Sequence, residues 1–257
     1  MRKKYEFAKK IVQAAGDFLR EQSASDCDIK TKSSPTDLVT ELDRKVQAGL
    51  IKQIKAHYPR DFFLAEEDDM RHPYNQGNVW IIDPIDGTNN FVGQGRDYAV
   101  MLAYFEEGRG KFAVIYDVAR AEMLHGGGDF EVELNGRSLK VQSPQVLNRS
   151  LVAMNSGMYA ENEAGLADLA RASLGLRIYG SAAISFSRVL QGGLLFYVSS
   201  LMPWDYAAAG VLGDKLGFKL LTLEGRKPTY QGSEKVMLIH ESRLSLMDTV
   251  FNQEVQP

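Results

Sequence analysis

Two aspartates spaced three apart, Asp83 and Asp86, follow the apolar run Val79 to Ile82 and precede Gly87-Thr88. That run has the partly β-branched character of a buried strand, and Pro84 is expected to stop ladder pairing where Asp83 emerges. Carboxylates crowded at a strand end repel one another and must protonate or spread apart unless a cation neutralises them. All-oxygen donors suit a hard ion such as Mg²⁺. Gly87 lets the backbone approach a ligand closely, and if the chain then enters a helix, the amides of Gly87 and Thr88 face whatever anion the metal holds. The segment Trp80 to Phe91 therefore reads as a metal site facing a phosphate.

Other acids sit at comparable places. The short apolar strand Phe62 to Ala65 delivers Glu66 and Glu67, and because neighbouring strand residues point to opposite faces, only one can enter a shared cluster. Asp43 ends Thr40-Glu41-Leu42-Asp43, which has the form of a capping box. Asp205 opens an alanine-rich helix, where the macrodipole alone favours an acid. Thr88 could be an ordinary helix cap. His57, His72, His125 and His240 have no spacing that suggests a shared metal and read as surface or loop residues.

The elements that must position these groups follow from periodicity. Tyr5, Ala8, Ile11, Val12, Ala15, Phe18 and Leu19 form one helical stripe, and Val46, Leu50, Ile51 and Ile54 form another up to Pro59. Between Tyr98 and Leu139 the pattern becomes β-like, with runs at 99–105, 111–116, 122–125 and 130–134. Asn135-Gly136 is a hairpin signal, and Gly126 to Gly128 reads as a turn or bulge. Beyond Ser143-Pro144 come strands at 150–155 and 176–179, helices near 162–174 and at 182–190, a strand at 193–198, and a helix at 205–216 closed by Gly217. A boundary near Gln142 divides the chain into lobes 1–142 and 143–257.

The 257 residues carry 30 Lys and Arg against 33 Asp and Glu, a net charge of −3 that argues against a nucleic-acid platform. No stretch is long and apolar enough to span a bilayer, and the basic opening lacks the form of a secretory signal. Cys27 is the only cysteine, so no intrachain disulfide can form and a reducing cytoplasm is the expected compartment.

Three separated motifs carry a resemblance: Lys32 to Asp43 with Ala65-Glu66-Glu67, then Trp80 to Phe91, and finally Trp204-Asp-Tyr-Ala-Ala-Ala-Gly210. In order and spacing the chain resembles a bacterial-type member of the inositol monophosphatase family of Mg²⁺-dependent, lithium-sensitive phosphatases. The resemblance implies an α/β fold, a layered αβαβα sandwich. It implies two or three Mg²⁺ ions held by Glu66, Asp83, the backbone carbonyl of Ile85, Asp86 and Asp205, with Asp43 and Thr88 orienting the attacking water. Two such ions about 3.5 to 4 Å apart can bind a phosphate oxygen, activate water and neutralise the leaving oxygen. Gly87, Thr88, Asp86, Ser181, Ala182 and Asp205 would contact substrate, with Glu67 supporting a ligand or water from behind and Lys32 and Asp37 nearby on a loop.

The implied reaction is hydrolysis of a small phosphate monoester of the inositol monophosphate, sugar or nucleotide kind. Alternatives are a relative acting on NADP, 3'-phosphoadenosine phosphate or fructose 1,6-bisphosphate, or a regulatory binding protein. A homodimer is expected from the family. Where the family places an inositol-binding glutamate, seven residues before Asp205, this chain has Val198, so a polar grip is missing there, strict myo-inositol phosphate specificity is not expected, and Ser199 or Ser200 could partly substitute.

Overall fold

The computed structural model describes residues 1–22, 29–31, 38–141 and 146–247. Helices α1 (Arg2–Arg20) and α2 (Glu41–His57) flank a two-stranded ribbon, β1 (Ile29–Thr31) antiparallel to β2 (Leu38–Thr40). A seven-stranded sheet follows in chain order: β3 (Phe62–Ala65), β4 (Asn78–Asp86), β5 (Ala99–Glu106), β6 (Arg109–Asp117), β7 (Glu122–Gly127), β8 (Phe130–Leu134) and β9 (Arg137–Ser138). Only β3 and β4 run parallel. The short helix α3 (Thr88–Gln94) leaves β4.

The rest of the chain builds β10 (Leu151–Met154), α4 (Ser156–Ala160), α5 (Leu166–Ala172), β11 (Gly175–Arg177), α6 (Ala182–Leu190), β12 (Phe196–Leu201), α7 (Pro203–Lys215), β13 (Phe218–Thr222) and β14 (Glu234–His240). Its strands form a second sheet in the order β11-β10-β12-β14-β13.

Period-two alternation decides the layering. On β5, Val100, Leu102 and Tyr104 face α1 and α2, while Met101, Ala103 and Phe105 face the opposite way, toward α6 and α7. On β12, Tyr197 and Leu201 join that same middle core, whereas Phe196 and Val198 face an outer core with Leu166 and Leu169 of α5. Strands buried on both faces read as continuous apolar runs, as β4 and β5 do. The stack is helix, sheet, helix, sheet, helix: the αβαβα sandwich.

The middle layer requires α7 to lie close to the first sheet. A side-chain carbon on Gly127 would stand 2.7 Å from the Val211 carbonyl oxygen, so the helix backbone rests on bare strand. Between the pairs His125–Glu133 and Gly127–Phe130 the register shifts by one extra residue on β8, and Gly128 opens the turn into that strand, so the triple glycine faces a bulge and also enters a turn. Asn135 and Gly136 take positive φ values of 49° and 75° and turn β8 into β9.

Several elements differ from the sequence reading. β4 does not end at Pro84: pairing resumes at Asp86, which lies opposite Ala99, with one extra residue bulged between Asp83 and Asp86. Proline lacks the ladder donor, and the bulge absorbs that loss. The helix expected over 162–174 is a single-turn 3₁₀ segment, Glu163–Gly165, and then α5, because Gly165 takes a left-handed φ of 73° between them. The strand at 193–198 starts later, since the Gly193 and Leu194 amides still donate to the Arg188 carbonyl at the end of α6. β13 and β14 had no counterpart in the sequence reading. Cys27 and the boundary near Gln142 lie outside the described residues.

Candidate metal and phosphate site

Three carboxylates from two distant parts of the chain converge. Asp83, Asp86 and Asp205 each offer an oxygen within 4.8 Å of the others. Glu66 faces Asp83 closely enough to share a hydrogen bond with it. Burial and mutual repulsion with Glu66 and Asp86 hold the carboxyls of Asp83 and Asp205 well above the usual carboxylate range, and burial raises that of Asp86 as well. Such a cluster must share protons or be neutralised by a cation. Four convergent oxygen donors fit a hard divalent metal.

Each of the three aspartates accepts from the backbone. Asp83 accepts from the Ile85 amide at 3.1 Å, across the bulge. Asp205 is the third residue of α7 and accepts from the Met202 amide at 2.8 Å, satisfying a donor that the helix start leaves open. Asp86 reaches into the second half of the chain: its Oδ1 accepts from the Ala182 amide at 3.1 Å, and its Oδ2 from the Ala183 amide at 2.9 Å and the Ser181 hydroxyl. Ser181 caps α6 with its own hydroxyl oxygen. A carboxylate has about four acceptor positions, so Oδ1 keeps one for a metal while the helix stays capped.

Beside the cluster, the Thr88 hydroxyl lies 3.0 Å from Asp43 Oδ1 and 3.0 Å from the Ile85 carbonyl oxygen. Asp43 is fully buried in the first turn of α2, so the contact joins α2 to the start of α3. Gly87 precedes α3 with φ 84°, and a side chain there would meet the Asp97 carbonyl and Ser181 at 3.0 Å. The Thr40 side chain, Lys32 and Asp37 lie outside the described residues.

The positioning residues escaped the sequence reading. Gln47 is wholly buried, and its amide clasps Glu67, donating to the carbonyl at 2.7 Å and accepting from the N–H at 2.9 Å. This fixes the strand end that carries Glu66, while the Glu67 carboxylate approaches Arg44 at 3.9 Å. Arg71 donates to the Ala65 and Met70 carbonyls and stacks 4.6 Å from the Trp204 ring, tying the same loop to α7. Asn90 donates to the Asp97 carbonyl at 2.8 Å and the Tyr179 carbonyl at 2.7 Å, binding α3 to the Gly180 segment. A polar residue at a core position of the α2 stripe was the one available signal for Gln47.

A cavity of about 240 Å³ adjoins Asp86 and Asp205, walled by Ser181, Ala182, Asn155, Tyr197, Ser199 and Ser200 among others. Val198 is not part of that wall. Its side chain is fully buried in the outer core with Val152 and Met154, because the alternation of β12 turns Tyr197 and Ser199 toward the cavity instead. The cavity therefore has no apolar wall from Val198, and Ser199 and Ser200, the two substitutes the sequence offered, both line it. His125 also differs from expectation: it is buried on β7 and shares a 2.5 Å hydrogen bond with the Tyr5 hydroxyl.

A family model described as the inositol monophosphatase family matches residues 1–254. The chain belongs to that family. It is 35% identical over 255 residues to the inositol-1-monophosphatase of Bacillus subtilis (strain 168), covering 96% of this chain and 95% of the relative. It is 31% identical to inositol monophosphatase 1 of Rattus norvegicus, over 86% of this chain and 83% of that one. Among solved structures, an IMPase of Thermotoga maritima superposes with a TM-score of 0.88 at 25% identity, covering 98% of each chain. An IMPase/NADP phosphatase complexed with Mg²⁺ and phosphate superposes with a TM-score of 0.85 at 26% identity, over 92% of this chain and 90% of that one. As a member of the inositol monophosphatase family, the protein is a phosphomonoester hydrolase. Among the described residues, no helix is long and apolar enough to cross a membrane.

Proposed function

We propose that the protein hydrolyses a small phosphate monoester, of the inositol monophosphate, sugar or nucleotide kind, in a Mg²⁺-dependent reaction with water as nucleophile. The observation that carries this reading is the convergence of Asp83, Asp86 and Asp205 beside the Thr88–Asp43 contact. Glu66, Asp83, the Ile85 carbonyl, Asp86 and Asp205 would hold two or three ions. When bound, Mg²⁺ supplies the positive charge that holds phosphate, acidifies water and offsets the leaving oxygen.

The protein's own groups do the rest. The Thr88 hydroxyl donates to Asp43, which leaves its oxygen lone pairs to accept a hydrogen bond from water and aim it at phosphorus. Asp43 is the terminal acceptor for a proton passed through Thr88. The amides of Gly87 and Thr88, opening α3, donate to phosphate oxygens. Ser181 and Ala182 bring the α6 start against the substrate, and Glu67 supports the Glu66 strand end from behind. Lys32 and Asp37 are proposed to approach the site from the preceding loop.

Phosphate release measured with and without Mg²⁺ and lithium tests the reading, across inositol monophosphates, NADP, 3'-phosphoadenosine phosphate, fructose 1,6-bisphosphate and glycerol phosphate. Mg²⁺-dependent, lithium-inhibited release from at least one is expected. Release from none, together with capture of RNA polymerase, would favour a regulatory binding role instead. We further propose a cytoplasmic homodimer with lobes 1–142 and 143–257, for which sedimentation of the purified protein is the direct check of assembly.

A further inference from the structure

We infer that Asn155 is the residue that selects the alcohol half of the substrate, by donating a hydrogen bond from Nδ2 to a hydroxyl oxygen of a neutral, polyhydroxylated monophosphate. This rests on the phosphatase reading above and names the substrate class it serves. Asn155 follows β10, and its own amide donates to the Val198 carbonyl of β12 at 3.0 Å. β10 and β12 are parallel, so Asn155 stands at the carboxyl end of β10, beside the middle of β12, on the side of the sheet where α/β folds place ligands.

Its side chain is held in one orientation. Oδ1 accepts from the Gly157 and Met158 amides at 2.9 and 3.2 Å as the cap of α4, which identifies the oxygen unambiguously and directs the NH₂ group the other way. Among the described residues no acceptor meets Nδ2, and Asn155 lines the same cavity as Asp86 and Asp205. A donor fixed by its own acceptor end loses little entropy on binding.

The rest of the wall fits the same ligand. Ser156, Ser199 and Ser200 bring hydroxyls, and among the described residues no Lys, Arg or His lines the cavity. A second phosphate would face acids without a counter-charge. A polyol hydroxyl, which both donates and accepts, can use Asn155 and the serines together.

The test compares Asn155→Asp and Asn155→Ser with the unaltered enzyme, using myo-inositol 1-phosphate, glycerol phosphate and p-nitrophenyl phosphate, whose leaving group carries no hydroxyl. Both variants keep an oxygen able to cap α4, and thermal melts verify the fold. Expected is a loss of about fivefold to tenfold in kcat/KM for the polyol phosphates, expressed mainly in KM, and a matching fall in their ratio to p-nitrophenyl phosphate. Equal losses on all three substrates, no loss at all, or a loss in Asn155→Asp alone would overturn the assignment, the last by tracing the effect to added charge. An unaltered enzyme that releases phosphate from no monoester would overturn the phosphatase reading itself. Activity confined to bisphosphates or NADP would overturn only the substrate class.

Discussion

Thr88 joins two parts of the proposed site through one hydroxyl, which meets the Asp43 carboxylate and the Ile85 carbonyl at 3.0 Å each. Thr88→Val keeps the shape and removes the proton path. Its kcat is expected to fall by about a hundredfold or more, with Thr88→Ser restoring much of the rate, as steady-state phosphate release would register. An undiminished kcat in Thr88→Val would remove Thr88 from the reaction. Gln47 illustrates the opposite kind of residue, chemically silent yet decisive for geometry. Its side-chain amide pairs with both backbone groups of Glu67 just beyond the end of β3. Legibility in the sequence divides along the same line. Asp83, Asp86, Glu66 and Asp205 stand at strand ends and a helix start, where charge is conspicuous. Gln47, Arg71 and Asn90 act on backbone groups, and nothing local marks which carbonyl a distant amide will meet. Val198 shows the same limit. Counting residues back from Asp205 located the position, but only the face assignment of β12 shows that its side chain leaves the cavity.

At the scale of elements, long periodic segments were readable: α1, α6 and the run β5 to β8 follow the apolar spacing closely. The failures lie where a bulge, a left-handed glycine or a short edge strand intervenes, as at Pro84, Gly165 and β13. Close approach of α7 to β7 is one such non-local feature, and Gly127→Ala should expose it. With φ 88° and the Val211 oxygen 2.7 Å from the new carbon, the helix must shift or the strand must strain. A loss of about 2 to 3 kcal/mol in urea unfolding is expected, along with reduced activity, since α7 carries Asp205. A second junction joins α1 to β7 through Tyr5 and His125, with Glu6 and Lys9 of α1 and Glu133 of β8 facing the imidazole. Burial, reinforced by Lys9, lowers the His125 pKa, so the neutral ring is the form that fits. The unfolded chain then takes up a proton near pH 6.5 before the folded one does. His125 therefore stabilises fully above that pH, and its contribution declines as pH falls toward the lowered folded value. His125→Gln should narrow the difference in urea midpoint between pH 7 and pH 5, and an unchanged difference would assign the acid sensitivity elsewhere.

At the scale of the molecule, the metal ligands proposed here come from β3, β4 and α7, so ion binding draws the first sheet and the middle helical layer together. Mg²⁺ at about 100 times its dissociation constant is worth about 2.7 kcal/mol, which for a chain of this size corresponds to a rise of about 5 to 10 °C in Tm. Calorimetry with Mg²⁺ and then with excess chelator should show and reverse that shift, and Asp205→Asn should diminish it. Equal melting temperatures with and without the ion would break the link between cluster and layers. Asp86 adds a more specific consequence. The carboxylate that would grip the ion also accepts the amides of Ala182 and Ala183, so the first turn of α6 is a reporter wired to a charge it never touches. Loading the site fixes Asp86 in its ionised form, and the deuterium uptake of those two amides should slow accordingly. Residue-resolved exchange across α6 would thus count occupancy from the far side of the carboxylate, in a helix contributed by the other half of the chain.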